Sequence, residues 1–415
     1  MELQVQNERE REKMSYSKLD ADEGEMDPVN EMTEKMSYAK LEDGGEEGGK
    51  GEGKNGQPLR AKSFDGFEDP SQPLLLSGNN TSVNYELDFV ETEWGNILVA
   101  IQGDRTKPAI LTYHDLGLNH VSCFQGFFNF PDMQPILKHF CVYHINAPGQ
   151  EQGAAQLPEN FEYPDMDHLA ETLISVLNHF RLKKFIGFGV GSGANILTRF
   201  ELAHPEYIEA LILVNCVSTQ STWTEWMQQK LSAYYLRKNG MTNYTQEYLL
   251  WHYFGKSTME THHELVALFR ENLAKNVNAF NLSLFVNSYI RRTDLNIRRE
   301  LDPFKQKNLR GVKAHSMLIV GANSPHVNDS VEMNARMDPA RSQWMKMSDC
   351  GGMILEEQPA KLAEAIRLFL QGQGYVPWVK SVKGATQPPS TVYGTPSTHK
   401  QDRRPRTSDG VTVVV

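Results

Sequence analysis

Cysteine is scarce in this chain. Four residues (Cys123, Cys141, Cys216 and Cys350) among 415 are too few for a disulfide scaffold. None forms a C-x-x-C pair, so no structural zinc is expected, and no motif calls for another metal or a cofactor. Long apolar runs are also missing. The longest, around 210–214, falls far short of the ~20 residues of a membrane-spanning helix. The opening Met1-Glu2-Leu3-Gln4 and the run Glu8-Arg9-Glu10-Arg11-Glu12 fit neither a signal peptide nor a myristoylation site. These absences predict a soluble protein of a reducing compartment. A net charge of −10 argues against nucleic acid as partner, because affinity there comes from neutralising phosphates.

The charge is unevenly spread. Residues 1–80 hold 19 acidic and 10 basic side chains, whereas residues 378–415 hold 2 acidic and 6 basic ones. Both segments are poor in branched apolar residues and are expected to be disordered tails around a domain spanning 81–377. The acidic tail contains a duplication: Glu12-Lys13-Met14-Ser15-Tyr16-Ser17-Lys18-Leu19-Asp20 returns 22 residues later as Glu34-Lys35-Met36-Ser37-Tyr38-Ala39-Lys40-Leu41-Glu42. It is either a solvated duplicate or a motif presented twice on one tether, which raises avidity. In the basic tail, Arg404-Pro405-Arg406-Thr407-Ser408 fits a basophilic kinase pattern with acceptors at Thr407 and Ser408. Phosphate there would add about −1.5 to −2 charges per site. It would weaken any contact of the basic tail with an acidic membrane surface. The ending Val411-Thr412-Val413-Val414-Val415 suits a PDZ domain, which would take the carboxylate of Val415.

Between the tails, strand-like and helical segments alternate. Strands are expected at 85–91, 97–102, 109–113, 140–145, 185–189, 208–215, 316–321 and 343–347. The first two are joined by the turn Glu93-Trp94-Gly95-Asn96, and strand–helix alternation follows. An antiparallel hairpin leading into parallel βα units predicts an α/β fold of the α/β-hydrolase type, a mostly parallel sheet with helices on both faces. Residues 222–300 interrupt the alternation with successive helices and are expected to form a helical cap. Trp223, Trp226, Met227, Leu231 and Tyr235 predict the buried stripe of its first helix. Ser257-Thr258-Met259-Glu260 reads as the capping box of a later one, carrying Leu265, Leu268, Phe269 and Leu273.

The most informative stretch is Gly189-Val190-Gly191-Ser192-Gly193, between a strand and a helix. This is the G-x-Nuc-x-G elbow of α/β-hydrolases, with glycine, Gly191, where the nucleophile belongs. The acid after the seventh strand is replaced as well, since that strand leads into Gly321-Ala322-Asn323-Ser324. Aligning on Glu357-Gln358-Pro359 puts Gly352 at the position of the histidine. A triad works as a unit, so the degenerate positions Gly191, Ser324 and Gly352 argue against hydrolysis. Ser192 stands one residue late, where its N–H rather than its hydroxyl would face the site. After the third strand the segment runs His114-Asp115-Leu116-Gly117, and a carboxylate at Asp115 would repel an oxyanion or brace the neighbouring loop. His114, Asp115, Gly191 and Ser192 are therefore the candidate pocket residues. The rival from a different class is an esterase using relocated groups, Ser192 with His114 or His326. A third reading takes Gly189–Ala194 as a G-x-G-x-x-A dinucleotide fingerprint, but it follows the fifth strand rather than the first.

Several segments together resemble the N-myc downstream-regulated (NDRG) family. They are His114-Asp115-Leu116-Gly117-Leu118-Asn119-His120, Cys123-Phe124-Gln125, Asn146-Ala147-Pro148-Gly149-Gln150, the glycine run at 189–193, and Leu370-Gln371-Gly372-Gln373-Gly374-Tyr375. The resemblance covers roughly 83–377. It implies an α/β-hydrolase-like fold without hydrolase activity. It also implies a mainly cytoplasmic protein acting in signal transduction, stress response or differentiation through protein partners or a pocket ligand, with some members at membranes. The acidic tail and its repeat lie outside the common family pattern.

Overall fold

The computed structural model describes residues 85–299 and 310–375. The repeat at 12–42, the acceptors Thr407 and Ser408, and the terminal Val415 all lie outside the described residues.

Among the described residues eight strands form one sheet: β1 (Glu86–Thr92), β2 (Gly95–Gly103), β3 (Ala109–Tyr113), β4 (Cys141–Ile145), β5 (Phe185–Val190), β6 (Ile208–Val214), β7 (His315–Gly321) and β8 (Ser342–Met347). Their spatial order is β1-β2-β4-β3-β5-β6-β7-β8. β1 pairs antiparallel with β2, and β2 antiparallel with β4. From β4 to β8 every pairing is parallel. Every residue of β3, β4 and β5 is buried, as expected of parallel strands covered on both faces. This is the α/β-hydrolase-like arrangement predicted from the alternation.

Helices α1 (Met166–Phe180) and α2 (Ser192–Ala203) pack side by side and connect strands of the parallel portion. α1 starts where the Asp165 carboxylate accepts the His168 N–H at 2.8 Å, and it ends at Arg181 in the left-handed region. Leu169, Leu173, Val176 and Leu177 form its buried stripe. Arg199 of α2 is buried, with its guanidinium donating to Asp167, Asn195 and Thr293, so its charge is fully paired.

The cap consists of α3 (Trp223–Asn239), α4 (Asn243–Thr261), α5 (His263–Asn276) and α6 (Ala279–Ile290). Two expectations need correction here. The buried residues of α3 are Gln229, Ser232, Ala233 and Leu236, whereas Trp223 is exposed and Trp226, Met227, Leu231 and Tyr235 are only half-buried. α3 packs against α6, and Trp226 packs partly buried against the core. A helical segment does restart just before Ser257, after the break in α4 at Gly255 (φ 75°, ψ 171°), but it ends at Thr261 and the Leu265 stripe belongs to the separate α5. Gly255 is forced by packing, since a Cβ there would stand 2.6 Å from the Asn323 carbonyl oxygen. At the end of the cap, Arg292 is buried and donates to Glu225, Ser221 and the Thr219 carbonyl, tying α6 to the start of α3. The last helices are α7 (Val327–Arg336), after β7, and α8 (Pro359–Gly372), which closes the domain. Among the described residues no helix is long and apolar enough to cross a membrane.

Candidate functional site: a filled hydrolase elbow

The elbow forms where β5 ends and α2 begins. Gly191 sits between them at φ 53°, ψ −115°, a conformation that favours glycine. Its neighbours are glycine for reasons of packing. A Cβ on Gly193 would stand 2.1 Å from the Tyr113 carbonyl oxygen, and one on Gly189 would stand 2.5 Å from the Ala194 Cα. Strand and helix therefore approach as closely as a nucleophile elbow requires.

The space that a nucleophile would occupy is taken by Asp115. A Cβ on Gly191 would lie 2.1 Å from the Asp115 carboxyl carbon. Asp115 Oδ1 accepts the N–H of Ser192 at 2.8 Å and that of its neighbour Leu116 at 2.8 Å. The first N–H follows the nucleophile position and the second comes from the loop after β3. These are the two places from which an α/β-hydrolase draws its oxyanion donors. Both donors thus serve a fixed carboxylate of the same chain. The other oxygen, Oδ2, meets His252 Nε2 from cap helix α4 at 3.1 Å, and both side chains are buried. Burial alone would raise the Asp115 pKa. The His252 charge and the hydrogen bonds from His252, Ser192 and Leu116 outweigh it and hold the carboxyl at about 2. Burial works against a charged His252, and the Asp115 carboxylate overcomes it, so His252 titrates above its ordinary value.

Of the candidate pocket residues, Asp115, Gly191 and Ser192 come together, while His114 is turned away. His114 Nδ1 bonds the Asp115 carbonyl at 2.8 Å, and its Nε2 accepts the Ala147 N–H at 3.0 Å. Both ring nitrogens are engaged, and burial pushes its pKa down to about 4, so the ring is neutral. Ser192 Oγ is fully buried and faces the His114 carbonyl oxygen at 3.5 Å, with no histidine nitrogen hydrogen-bonded to it. The fingerprint reading meets the same obstacle, since the N-terminus of α2 already holds the Asp115 carboxylate.

The acid and base positions form a second corner, held by neutral hydrogen bonds. Ser324 Oγ donates to Asn215 Oδ1 at 3.2 Å, and Asn215 Nδ2 donates to the Gly352 carbonyl at 2.7 Å. Asn215 adopts the left-handed region (φ 52°) at the end of β6, which asparagine tolerates well. The backbone of α4 has moved into the room of a histidine side chain: a Cβ on Gly352 would stand 2.1 Å from the Tyr253 carbonyl oxygen. Glu357 clamps this corner, its carboxylate accepting from Gly351 N, Met353 N and Thr258 Oγ1. His326 is spent on α4 as well, with Nε2 on the His252 carbonyl at 3.1 Å and its ring 4.7 Å from that of His252.

Reading the sequence alone missed His252, Asn215 and Glu356. Glu356 is 2% exposed with Oε2 unpartnered, and burial pushes its pKa up to about 8. A buried-side glutamate next to Glu357-Gln358-Pro359 was a readable signal. The pairing of His252 with Asp115, across 137 residues, was not.

A family model described as the Ndr family matches residues 87–377. Among curated relatives, Protein NDRG3 of Xenopus laevis is 45% identical over 311 residues, 73% of this chain and 81% of the relative. Protein NDRG4-B of Xenopus laevis is 40% identical over 360 residues, 82% of this chain and 95% of the relative. Among solved structures, an esterase from Thermogutta terrifontis superposes with a TM-score of 0.56 at 18% identity, covering 69% of this chain and 99% of that one. An enol-lactonase from Burkholderia xenovorans LB400 gives 0.55 at 16% identity, covering 68% and 100%. At such identities these two establish the fold and nothing finer. With the family model spanning most of the domain and relatives at 40–45% identity, the chain belongs to the Ndr family.

Proposed function

We propose that this chain is a non-catalytic member of the α/β-hydrolase fold that acts in signalling by binding protein partners or a ligand. The observation that carries the reading is the Asp115 carboxylate, which takes both oxyanion-side N–H groups and the space beside Gly191. A fixed anion there repels the negative charge that a tetrahedral intermediate develops, and it leaves no donor free for it. The rival reading needs Ser192 to attack. Its hydroxyl lacks a base, and the two histidines that could serve, His114 and His326, hold other contacts.

The test is labelling with a fluorophosphonate probe together with hydrolysis of short activated esters by the full chain. Neither should exceed a heat-denatured control. Saturable turnover with labelling at Ser192, both lost in Ser192→Ala, would establish the esterase instead.

A further inference from the structure

Exposed bulky apolar side chains are concentrated on two cap helices. Among the described residues Leu87, Phe89, Val331 and Leu368 are exposed but scattered over β1, α7 and α8. Trp223, Tyr234, Tyr244 and Trp251 all fall on α3 and α4, and all are tryptophan or tyrosine. On α4, Tyr244, Tyr248 and Trp251 recur at the spacing of one helix face. The Tyr244 ring meets that of Tyr235 on α3 at 5.6 Å, and Tyr235 meets Tyr234 at 6.0 Å, so the rings form one ridge across both helices. Tyr234 and Trp251 are 46% and 44% exposed. Along α3, Lys230, Tyr234 and Lys238 follow one another at four-residue spacing. Lys238 Nζ lies 5.8 Å from the centre of the Tyr234 ring, and Lys230 Nζ 5.9 Å from that of Trp226. The charge of this face is positive. Glu225 and Glu247, the acids of α3 and of α4 before its break, are paired with Arg292 and Arg270. Lys230, Arg237 and Lys238 lie over aromatic rings and have no acidic partner among the described residues. The chain as a whole carries −10.

We propose that this ridge docks on the surface of an anionic lipid bilayer, with its rings at the level of the headgroups and its lysines on the phosphates. Tryptophan and tyrosine settle at the boundary between membrane and water, where the ring is buried and the polar tip stays wet. Lysine decides between lipid and protein. It is depleted at protein–protein interfaces, whereas helices that lie in a bilayer surface pair it with aromatic side chains. Charge also disfavours a second copy of the chain, since two such faces would set lysine against lysine. No bulky aliphatic side chain is exposed on the ridge, so the contact is a shallow one. The surface belongs to the folded domain rather than to the basic tail, and it stands whether or not the elbow is inert.

Flotation of the full chain with vesicles tests the docking, comparing phosphatidylcholine mixed with phosphatidylserine against phosphatidylcholine alone. The chain should prefer the anionic vesicles. Lys230→Glu/Lys238→Glu should weaken that binding about tenfold or more at low salt, because each basic residue near an anionic surface adds to the attraction. Tyr244→Ser/Trp251→Ser should weaken it at low and high salt alike, because ring burial is not screened. All four side chains lie on the surface ridge, and unfolding curves that match wild type confirm that the variants fold. Quenching of tryptophan fluorescence by bromine-labelled lipid should fall in Trp251→Phe. Wild-type chain that ignores anionic vesicles would overturn the proposal. Binding that falls with salt but is unchanged in Tyr244→Ser/Trp251→Ser would assign the contact to the basic tail, and the proposal would fall. A doubled mass by light scattering that the same variant abolishes, with vesicle binding unchanged, would give the ridge to a second copy and overturn it as well.

Discussion

The elbow and the acid–base corner lie at the same end of the sheet, and they differ from the hydrolase pattern in opposite ways. At the elbow the turn follows the pattern and the side chains do not. Gly189 and Gly193 flank the tight strand-to-helix turn because Ala194 and Tyr113 pack where a Cβ would go, whereas Gly191 between them faces only the Asp115 carboxylate. The fold itself needs the two flanking glycines, whatever the chemistry. At the corner there is no room for a side chain, because α4 carbonyls stand against Gly351 and Gly352. The elbow is held by a buried ion pair, Asp115 with His252, and the corner by the neutral chain Ser324–Asn215–Gly352. The difference teaches that packing can fix a glycine in two ways, by side chains and backbone of the turn itself at the elbow and by carbonyls of a cap helix at the corner.

The largest expected effect is therefore at the elbow. Asp115→Ala leaves two buried N–H groups unpaired and His252 charged without a partner, and it should cost about 3–5 kcal/mol in denaturant unfolding. Its pH dependence follows from the two shifts. The Asp115 carboxyl, held at about 2 against an ordinary 3.8, stabilises the fold above 3.8, and that part is lost as pH falls towards 2. The raised His252 stabilises the fold below its ordinary 6.5, and that part is lost as pH rises through its folded value. The gap between wild type and Asp115→Ala should thus be widest between about pH 4 and 6.5. A gap that does not vary with pH would remove the ion pair from the account.

Next in size is Glu356, a buried carboxyl beside Glu357 in the chain, with no ion pair among the described residues. Burial raises its pKa from an ordinary 4.5 to about 8, so the folded state holds a proton that the unfolded chain releases. Stability should fall as pH rises from about 4.5 to about 8. Glu356→Gln should relieve this, its advantage over wild type growing by about 3–4 kcal/mol between pH 5 and pH 8. A gain that is equal at both pH values would point to packing rather than titration.

The smallest effect belongs to the neutral chain. Ser324→Ala removes the hydroxyl that donates to Asn215 and accepts the His326 N–H, and it should cost about 1 kcal/mol without pH dependence. A loss as large as that of Asp115→Ala would erase the contrast between the two regions.

The sheet was legible because buried strands read as short apolar runs separated by turn residues, and the empty nucleophile position was legible because Gly191 sits in a fixed motif. What could not be read is the content of the site. Asp115 reaches Ser192 across 77 positions, and His252 reaches Asp115 across 137. No local pattern encodes such contacts. The α3 stripe misled because aromatic spacing at three and four residues marks a helix face without saying what the face touches. Gln229, Ser232, Ala233 and Leu236 are the buried ones.

The claim at the centre of this account is that the Asp115 carboxylate and a nucleophile side chain compete for one space. A double-mutant cycle of Gly191→Ala and Asp115→Gly, read by denaturant unfolding, tests it most directly. Gly191→Ala in the wild-type background meets both the backbone strain of φ 53° and the carboxyl group. In the Asp115→Gly background only the strain of about 1–3 kcal/mol remains. The account predicts a coupling of about 2 kcal/mol, with the alanine better tolerated once the carboxylate is gone. Additive losses would show that the two side chains do not share that space, and would contradict it.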